Sequence, residues 1–174
     1  MKKLISGVCV AACFAAVGTM IVSANLPVGV TPSLLAIGTY PNFKVKTQWT
    51  GAAPFKFEAE AESKADSPYA VNLVVRQHDY QIDGSTGWHM HPGPVFITVT
   101  KGTLTFYEYD NPCTGHPVSA GQGYVDTGRG HIAINHGTED ATDVSVIVAP
   151  VGGSFRSEID PADIPGIENC LSVK

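Results

Sequence analysis

The chain lacks the short motifs that mark several large enzyme classes. It contains no G-x-S-x-G nucleophile segment, no G-x-x-x-x-G-K phosphate loop and no C-x-x-C redox pair. The sequence therefore gives no support to a serine hydrolase of that type, a P-loop nucleotide-binding protein or a thioredoxin-like oxidoreductase.

Basic residues are also few. The chain has 11 Lys and Arg against 16 Asp and Glu, which gives a formal net charge of −5. Proteins that bind nucleic acids need clustered positive charge to displace the counterions of the phosphates. No basic stripe is present, so we expect no nucleic-acid partner and attribute the acidic balance to solubility.

The first residues have the pattern of an export signal. Lys2 and Lys3 precede an apolar run over residues 4–22, and small residues lead up to Ala24. This pattern predicts a signal peptide over residues 1–24, cleaved after Ala24, and an exported protein, secreted or periplasmic. Two alternatives stay open: an uncleaved membrane anchor, because the run is just long enough to span a bilayer, and a lipoprotein modified at Cys13.

Long amphipathic periodicity is missing after the signal. Short runs rich in β-branched residues, such as residues 95–100, alternate with turn residues, and the chain has 18 glycines and 12 prolines. The pattern predicts an all-β barrel or jelly roll. We expect one domain over 34–155, preceded by a flexible lead-in over 25–33 and followed by an irregular tail over 156–174.

Two cysteines remain once the predicted signal is removed. The chain has four cysteines, and Cys9 and Cys13 lie inside the signal. In an oxidising compartment the other two, Cys113 and Cys170, are expected to form one disulfide. This bond would hold the C-terminal tail to the body of the domain.

Three histidines form the candidate site. His89 and His91 lie in the segment GWHMHPGP, and His131 follows forty residues later. Residues i and i+2 of a strand point to the same side, and a neighbouring strand could bring His131 to them. Three neutral imidazoles can hold a divalent transition metal and leave a coordination position open. The alternative is a chance H-x-H pair on a surface strand.

The spacing around these histidines resembles the two motifs of the cupin family. After the H-x-H pair, three residues lead to Val95, and six more lead to Gly102. The second segment runs from Gly128 through two residues to His131, then through three residues to Asn135. The resemblance covers roughly residues 70–150 and implies a single cupin-type jelly-roll β-barrel.

The chain departs from the cupin pattern at four places, one of which is the gap that follows Gly121 in the second motif, one residue shorter than usual. Asp126 replaces the usual proline of the second motif, and Asp83 stands where the first motif begins with glycine, with Gly84 following it. Val95 occupies the position of the usual metal-binding glutamate. The site would then be a neutral three-histidine site, as in cupin-type thiol dioxygenases, but Val95 is equally consistent with weakened or lost metal binding.

The resemblance implies that His89, His91 and His131 bind iron, manganese, nickel or zinc. The first functional hypothesis is an exported metal-binding protein, in its sharpest form a small-molecule oxygenase. The alternative is a cupin that binds a small ligand without turnover, or a structural one, with weak or no metal. A homodimer formed through outer strands is also expected.

Three further residues near the motifs have predicted roles. Glu108 is a candidate substitute ligand or base, with a solvated strand end as the alternative. Asn135 is expected to hydrogen-bond backbone groups close to the site. Trp88 alternates with His89 and is therefore expected to point outward, where it could contribute to an interface.

Overall fold

The computed structural model describes residues 26–63 and 68–170, and it confirms the all-β fold class. Apart from two short 3₁₀ turns, Pro161–Asp163 and Ile167–Asn169, the regular elements of these residues are strands. In chain order the strands are β1 (Val28–Pro41), β2 (Phe43–Trp49), β3 (Phe55–Ala61), β4 (Tyr69–Ser85), β5 (His89–Met90), β6 (Val95–Lys101), β7 (Thr103–Glu108), β8 (Asn111–Ser119), β9 (Gly123–Asp126), β10 (His131–Ile134), β11 (Ala141–Pro150) and β12 (Ser157–Glu158).

Ten strands form one antiparallel sheet that folds back on itself as a barrel. One path runs β12-β5-β10-β4-β11-β6-β9, while β1 also pairs with β4 and β7 joins β10 to β8. The long strand β4 therefore belongs to one wall, and its end at Ser85 pairs with Ile134 of β10 in the other wall. This is the double-walled arrangement of a cupin-type jelly roll.

The interior of the barrel is filled by alternate side chains of facing strands. Strand β11 shows the pattern clearly, because every second residue from Ala141 to Ala149 is buried. The core between the walls includes Val74, Val99, Leu104 and Phe106. Burial of such apolar side chains contributes about 25 cal/mol per Å² and holds the two walls together.

A second apolar cluster lies outside the barrel wall, under the C-terminal tail. Trp88, Tyr107 and Ile132 point away from the barrel interior and pack with Ile164 and Cys170 of the tail. Trp88 is 0% exposed, so it points outward as expected, but the tail of the same chain covers it. The predicted disulfide tied the tail to the domain, but the sequence did not show that the tail covers Trp88.

The expected disulfide joins Cys113 of β8 to Cys170 at the end of the tail. The two Cα atoms are 4.9 Å apart, which is within the normal range for a disulfide. The bond holds the tail against the cluster that contains Trp88. It is also compatible with the predicted export, since disulfides persist in oxidising compartments.

The N-terminal part of the described chain is more regular than expected. Residues 28–33 belong to β1, so strand structure begins inside the segment predicted to be a lead-in. The outer edge of β1 pairs with no other described strand, and β2 and β3 pair only with each other. β1 exposes large apolar side chains such as Leu34 and Ile37, and the homodimer stays a prediction.

The predicted signal peptide, with its two alternatives, lies outside the described residues. Among residues 26–63 and 68–170, no helix is long and apolar enough to cross a membrane.

Loss of the disulfide should destabilise the fold and loosen the tail. The bond closes a loop with a sequence separation of 57 residues, which corresponds to about 4 kcal/mol in the chain-entropy model. We expect a Cys113→Ser/Cys170→Ser variant to unfold at lower urea, with Trp88 fluorescence shifted toward that of a solvated indole. Reductant should destabilise the wild type and leave the variant unchanged. Equal urea midpoints for wild type and variant would contradict a stabilising bond.

Candidate metal centre

The pairing of β5 with β10 brings the three predicted histidines together. His131 lies directly opposite His89 in the antiparallel register, and His91 follows two residues after His89. The ring centroids are 4.4 Å apart for His89 and His131, 4.8 Å for His89 and His91, and 5.5 Å for His91 and His131. All three residues are buried, and one potential ligand atom of each lies within 4.8 Å of the others.

Each histidine has its Nδ1 atom next to a hydrogen-bond acceptor. Nδ1 of His89 is 2.8 Å from the carbonyl oxygen of Gly87, and Nδ1 of His91 is 2.6 Å from that of Phe155. A carbonyl oxygen only accepts, so in the neutral rings Nδ1 carries the hydrogen and donates it. Nε2 of each ring then keeps its lone pair and is available to a metal ion.

The third histidine faces a carboxylate. Nδ1 of His131 lies 3.1 Å from Oδ2 of Asp126, which is within ion-pair distance, but the atoms are not aligned for a directed hydrogen bond. Both side chains are almost completely buried. We therefore treat the contact as a close electrostatic one, which still favours hydrogen on Nδ1 and a free Nε2. Metal-bound histidines commonly have a carboxylate or carbonyl partner of this kind.

Burial keeps two of the imidazoles neutral. It lowers the pKa of His91 from 6.5 to about 4, and the neighbouring His131 adds to the effect. Burial also holds the pKa of His89 well below its usual value, with a further contribution from His131. Because metal binding requires the unprotonated ring, these shifts favour ligation near neutral pH.

The position of the cupin glutamate is occupied by the apolar residue Val95. The nearby carboxylate belongs to Asp126 and lies next to Nδ1 of His131. Val95 is 1% exposed and lies opposite Asp126 across the β6–β9 pair. Burial opposes ionisation of Asp126, but His131, the backbone N–H of Gly128 and His91 together outweigh burial and lower the pKa of Asp126. Oδ1 of Asp126 also accepts a hydrogen bond from the backbone N–H of Gly128, at 3.0 Å. Asp126 thus caps the turn and lies against His131 as well.

The histidines open onto a cavity inside the barrel. It encloses about 390 Å³ not filled by protein atoms, part of it open to solvent. Val95 and Phe106 form apolar parts of its lining. Arg76 of β4 and Ser145 of β11 add polar groups, and sequence reasoning missed both. Only about 30 Å³ of this space is free for a water-sized molecule, so the cavity is narrow.

A buried hydrogen-bond network lines the same cavity. The hydroxyl of Tyr80 donates to Oδ2 of Asp143 at 2.7 Å, and Nδ1 of His78 lies 2.9 Å from Oδ1 of Asp143. Burial, followed by the negative charge of Asp143, raises the pKa of Tyr80 well above its usual value. Tyr80 therefore remains a protonated donor, and its hydrogen bond keeps the Asp143 carboxylate in place.

Strand alternation was the signal that could have located these residues. Val74 and Tyr80 are core residues of β4, so Arg76 and His78, at the same parity, face inward. The sequence alone left this parity open because polar residues interrupt the apolar pattern. The structure places His78 at the cavity.

The side chain of Glu108 does not contact the histidine rings. Glu108 is exposed and accepts a hydrogen bond from the hydroxyl of Tyr124 at 2.8 Å. The ring of Tyr124 lies between Glu108 and the site, with its centroid 6.5 Å from that of His131. Glu108 lies directly opposite His131 in the β7–β10 register, but its carboxylate is at the exposed end of β7 and is bonded to Tyr124.

Asn135 has the backbone-bonding role that was expected of it. Its side-chain nitrogen donates to the carbonyls of Gln81 and Glu139, at 3.0 and 2.9 Å. Its backbone N–H donates to the carbonyl of Gly84, and its own carbonyl accepts from the N–H of Asp83. Asn135 thus joins the end of the second motif to the beginning of the first, away from the histidine rings.

Asp83 adopts a backbone conformation that favours glycine, the residue that the cupin motif has at this position. Its φ is +61°, in the left-handed region, and it is the one non-glycine residue with positive φ among the described residues. Aspartate is among the few residues that tolerate this region. The departure from the motif is therefore compatible with the same turn.

Comparisons with known proteins found similarity at the level of structure. No family model and no curated protein sequence matches the chain. A conserved protein with a double-stranded β-helix domain from Klebsiella pneumoniae is 26% identical, with 51% of this chain and 70% of that chain covered and a TM-score of 0.43. The polyketide cyclase RemF from Streptomyces resistomycificus is 19% identical, with 53% and 64% covered and a TM-score of 0.43.

An oxalate oxidase in complex with the substrate analogue glycolate is also similar. It is 23% identical, with 57% of this chain and 51% of that chain covered and a TM-score of 0.42. The antiparallel barrel, with both histidine motifs facing its interior, confirms the jelly-roll fold predicted from the motifs.

The metal-free protein should lose stability as the pH falls below neutral. An unfolded histidine takes up a proton near pH 6.5, whereas His91 in the fold does so near 4. Between these values the unfolded state binds more protons, so stability is full above about pH 6.5 and decreases toward pH 4. The shift of His91 alone corresponds to on the order of 3 kcal/mol.

Urea unfolding of chelator-treated protein between pH 4 and pH 7.5 measures this effect. We expect a His91→Gln variant to show a shallower dependence in the same window. A wild-type free energy of unfolding that is unchanged from pH 7 to pH 5 would contradict neutral, buried histidines.

Proposed function

We propose that His89, His91 and His131 bind one divalent transition metal ion through their Nε2 atoms. The observation that carries this proposal is that Nδ1 of each ring faces an acceptor while the three rings converge in a buried cavity. Three nitrogen donors suit iron, manganese, nickel or zinc, and none of them contributes negative charge. A metal bound in this way would act as a Lewis acid toward an anionic ligand.

We infer from this donor set an enzyme that acts on a small molecule, in its sharpest form an oxygenase. The roles of the chain follow from the contacts. The carbonyls of Gly87 and Phe155 orient two of the ligand rings, and Asp126 supports the third. Val95 and Phe106 form apolar parts of the cavity wall. The predicted export places this activity outside the cytoplasm.

A second candidate is a cupin that binds a small ligand without turnover. Val95 favours this reading, since the position contributes no donor and a metal would be held by three neutral rings only. The two candidates differ in one measurement. Metal-dependent oxygen consumption with a small substrate supports the enzyme, whereas a ligand-induced thermal shift without turnover supports the binding protein.

Metal content tests the three-histidine site directly. We expect about one equivalent of metal per mature chain, measured by mass spectrometry, and none in a His89→Ala/His131→Ala variant. His116→Ala is the matched control, because His116 is exposed and lies outside the site, and it should retain the metal. Equal metal in the double variant and the wild type would contradict the site, as would no uptake after reconstitution.

Asp126 should contribute to metal affinity without being a ligand. Asp126→Asn removes the negative charge that faces His131, and we expect metal affinity to fall about 10- to 100-fold. Competition with a chromophoric chelator measures this change. Asp140→Asn, at an exposed position, is the control and should bind like the wild type. An unchanged affinity in Asp126→Asn would show that the carboxylate only caps the turn.

A further inference from the structure

Two polar groups in the cavity have no partner in the protein. Nε of Arg76 and Oγ of Ser145 are both buried and neither makes a hydrogen bond. Ser145 is 2% exposed, so bulk water does not reach its side chain. A buried donor without a partner costs about 1–3 kcal/mol, so two of them on one cavity wall indicate a place for a ligand.

The two groups are neighbours on one face of the sheet. Arg76 of β4 lies directly opposite Ser145 of β11 in the antiparallel register. Side chains of directly opposed residues stand on the same face, and both residues line the cavity of the three histidines. Together they offer a cationic donor and a hydroxyl donor within one wall of that cavity.

The positive charge of Arg76 is also left unbalanced by ion pairs. No carboxylate lies within ion-pair distance of its guanidinium among residues 26–63 and 68–170. Asp143, the nearest inward-facing acid on β11, is engaged by Tyr80 and His78. Arg156 adds a second cation to the cavity lining, but Glu158 and the carbonyl of Thr86 already accept its hydrogen bonds.

The guanidinium of Arg76 lies over the ring of Phe155 at cation–π distance. Its guanidinium carbon lies 5.1 Å from the centroid of the Phe155 ring. The carbonyl of the same Phe155 accepts the hydrogen bond of His91. Phe155 therefore positions both the cation and one histidine of the candidate metal centre. The planar guanidinium, with its unpaired Nε, matches the two oxygens of a carboxylate.

We propose that Arg76 and Ser145 form the binding site for the carboxylate of a small organic acid whose remainder lies toward the three histidines. Any reaction of the bound acid rests on the proposed function. The binding of its carboxylate does not. The charge of Arg76 would be neutralised by the ligand, and both unpaired donors would be satisfied. The cavity volume restricts the acid to a small one.

The test uses chelator-treated protein, so that a carboxylate cannot bind through a metal. The thermal shift produced by sodium acetate is measured at constant ionic strength, with acetamide as the neutral analogue of the same shape. We expect saturable stabilisation by acetate and none by acetamide. Arg76→Gln should weaken acetate binding about 10- to 100-fold, and Ser145→Ala should weaken it several-fold.

Two further variants separate charge from geometry. Arg76→Lys keeps the charge without the planar edge and should bind acetate more weakly than the wild type. Lys56→Gln makes the same change of net charge as Arg76→Gln at an exposed position and should bind like the wild type. Should Arg76→Gln fail to fold, Ser145→Ala and Arg76→Lys still decide the result, since both changes are small.

The outcomes distinguish this inference from the metal proposal. Acetate binding that depends on Arg76 and Ser145 supports the carboxylate site, even if metal analysis finds the three histidines empty. Acetate binding that is equal in the wild type, Arg76→Gln and Ser145→Ala overturns the site, even if one equivalent of metal is bound. No saturable effect of acetate on the wild type overturns it as well.

Discussion

The antiparallel contact between β5 and β10 is the constraint on which the candidate site depends. It places His131 opposite His89, and the alternation of side chains then adds His91 to the same group. A shift of one residue in this pairing would turn the imidazole of His131 out of the barrel and bring Ile132 inward. The tail opposes such a shift, because it packs on Ile132 from the outside and is tied to the barrel by the disulfide.

Burial has two consequences for the chemistry of the cavity. It keeps His89 and His91 unprotonated, which prepares them as ligands, and it makes every unpaired polar group costly. The network of Tyr80, His78 and Asp143 satisfies its members internally. Nε of Arg76 and Oγ of Ser145 have no hydrogen-bond partner. The cavity wall therefore has one group of polar residues that bond to each other and a second group that lacks partners. Recognition of a ligand is expected at the second group.

The acidic residue next to the histidines lies at a different position in this chain from the glutamate of the cupin motif. The motif places an acid at the position of Val95, where it would reach a metal directly. Here the acid is Asp126, opposite Val95 on the adjacent strand and behind the ring of His131. Negative charge therefore acts on a metal only through an imidazole. A metal held in this way would retain more positive charge than one bound by a glutamate, which favours anionic ligands.

The sequence by itself determined the all-β class, the three histidines and the cysteine pair, because each depends on local spacing or on residue type alone. His89 and His91 share a face wherever the strand lies, and the two cysteines outside the predicted signal have one possible bond between them. Only the tertiary structure decided the roles of Arg76, Ser145 and Trp88. Those roles depend on which face of β4 meets β11 and on where the tail folds, and these are contacts between residues far apart in the chain.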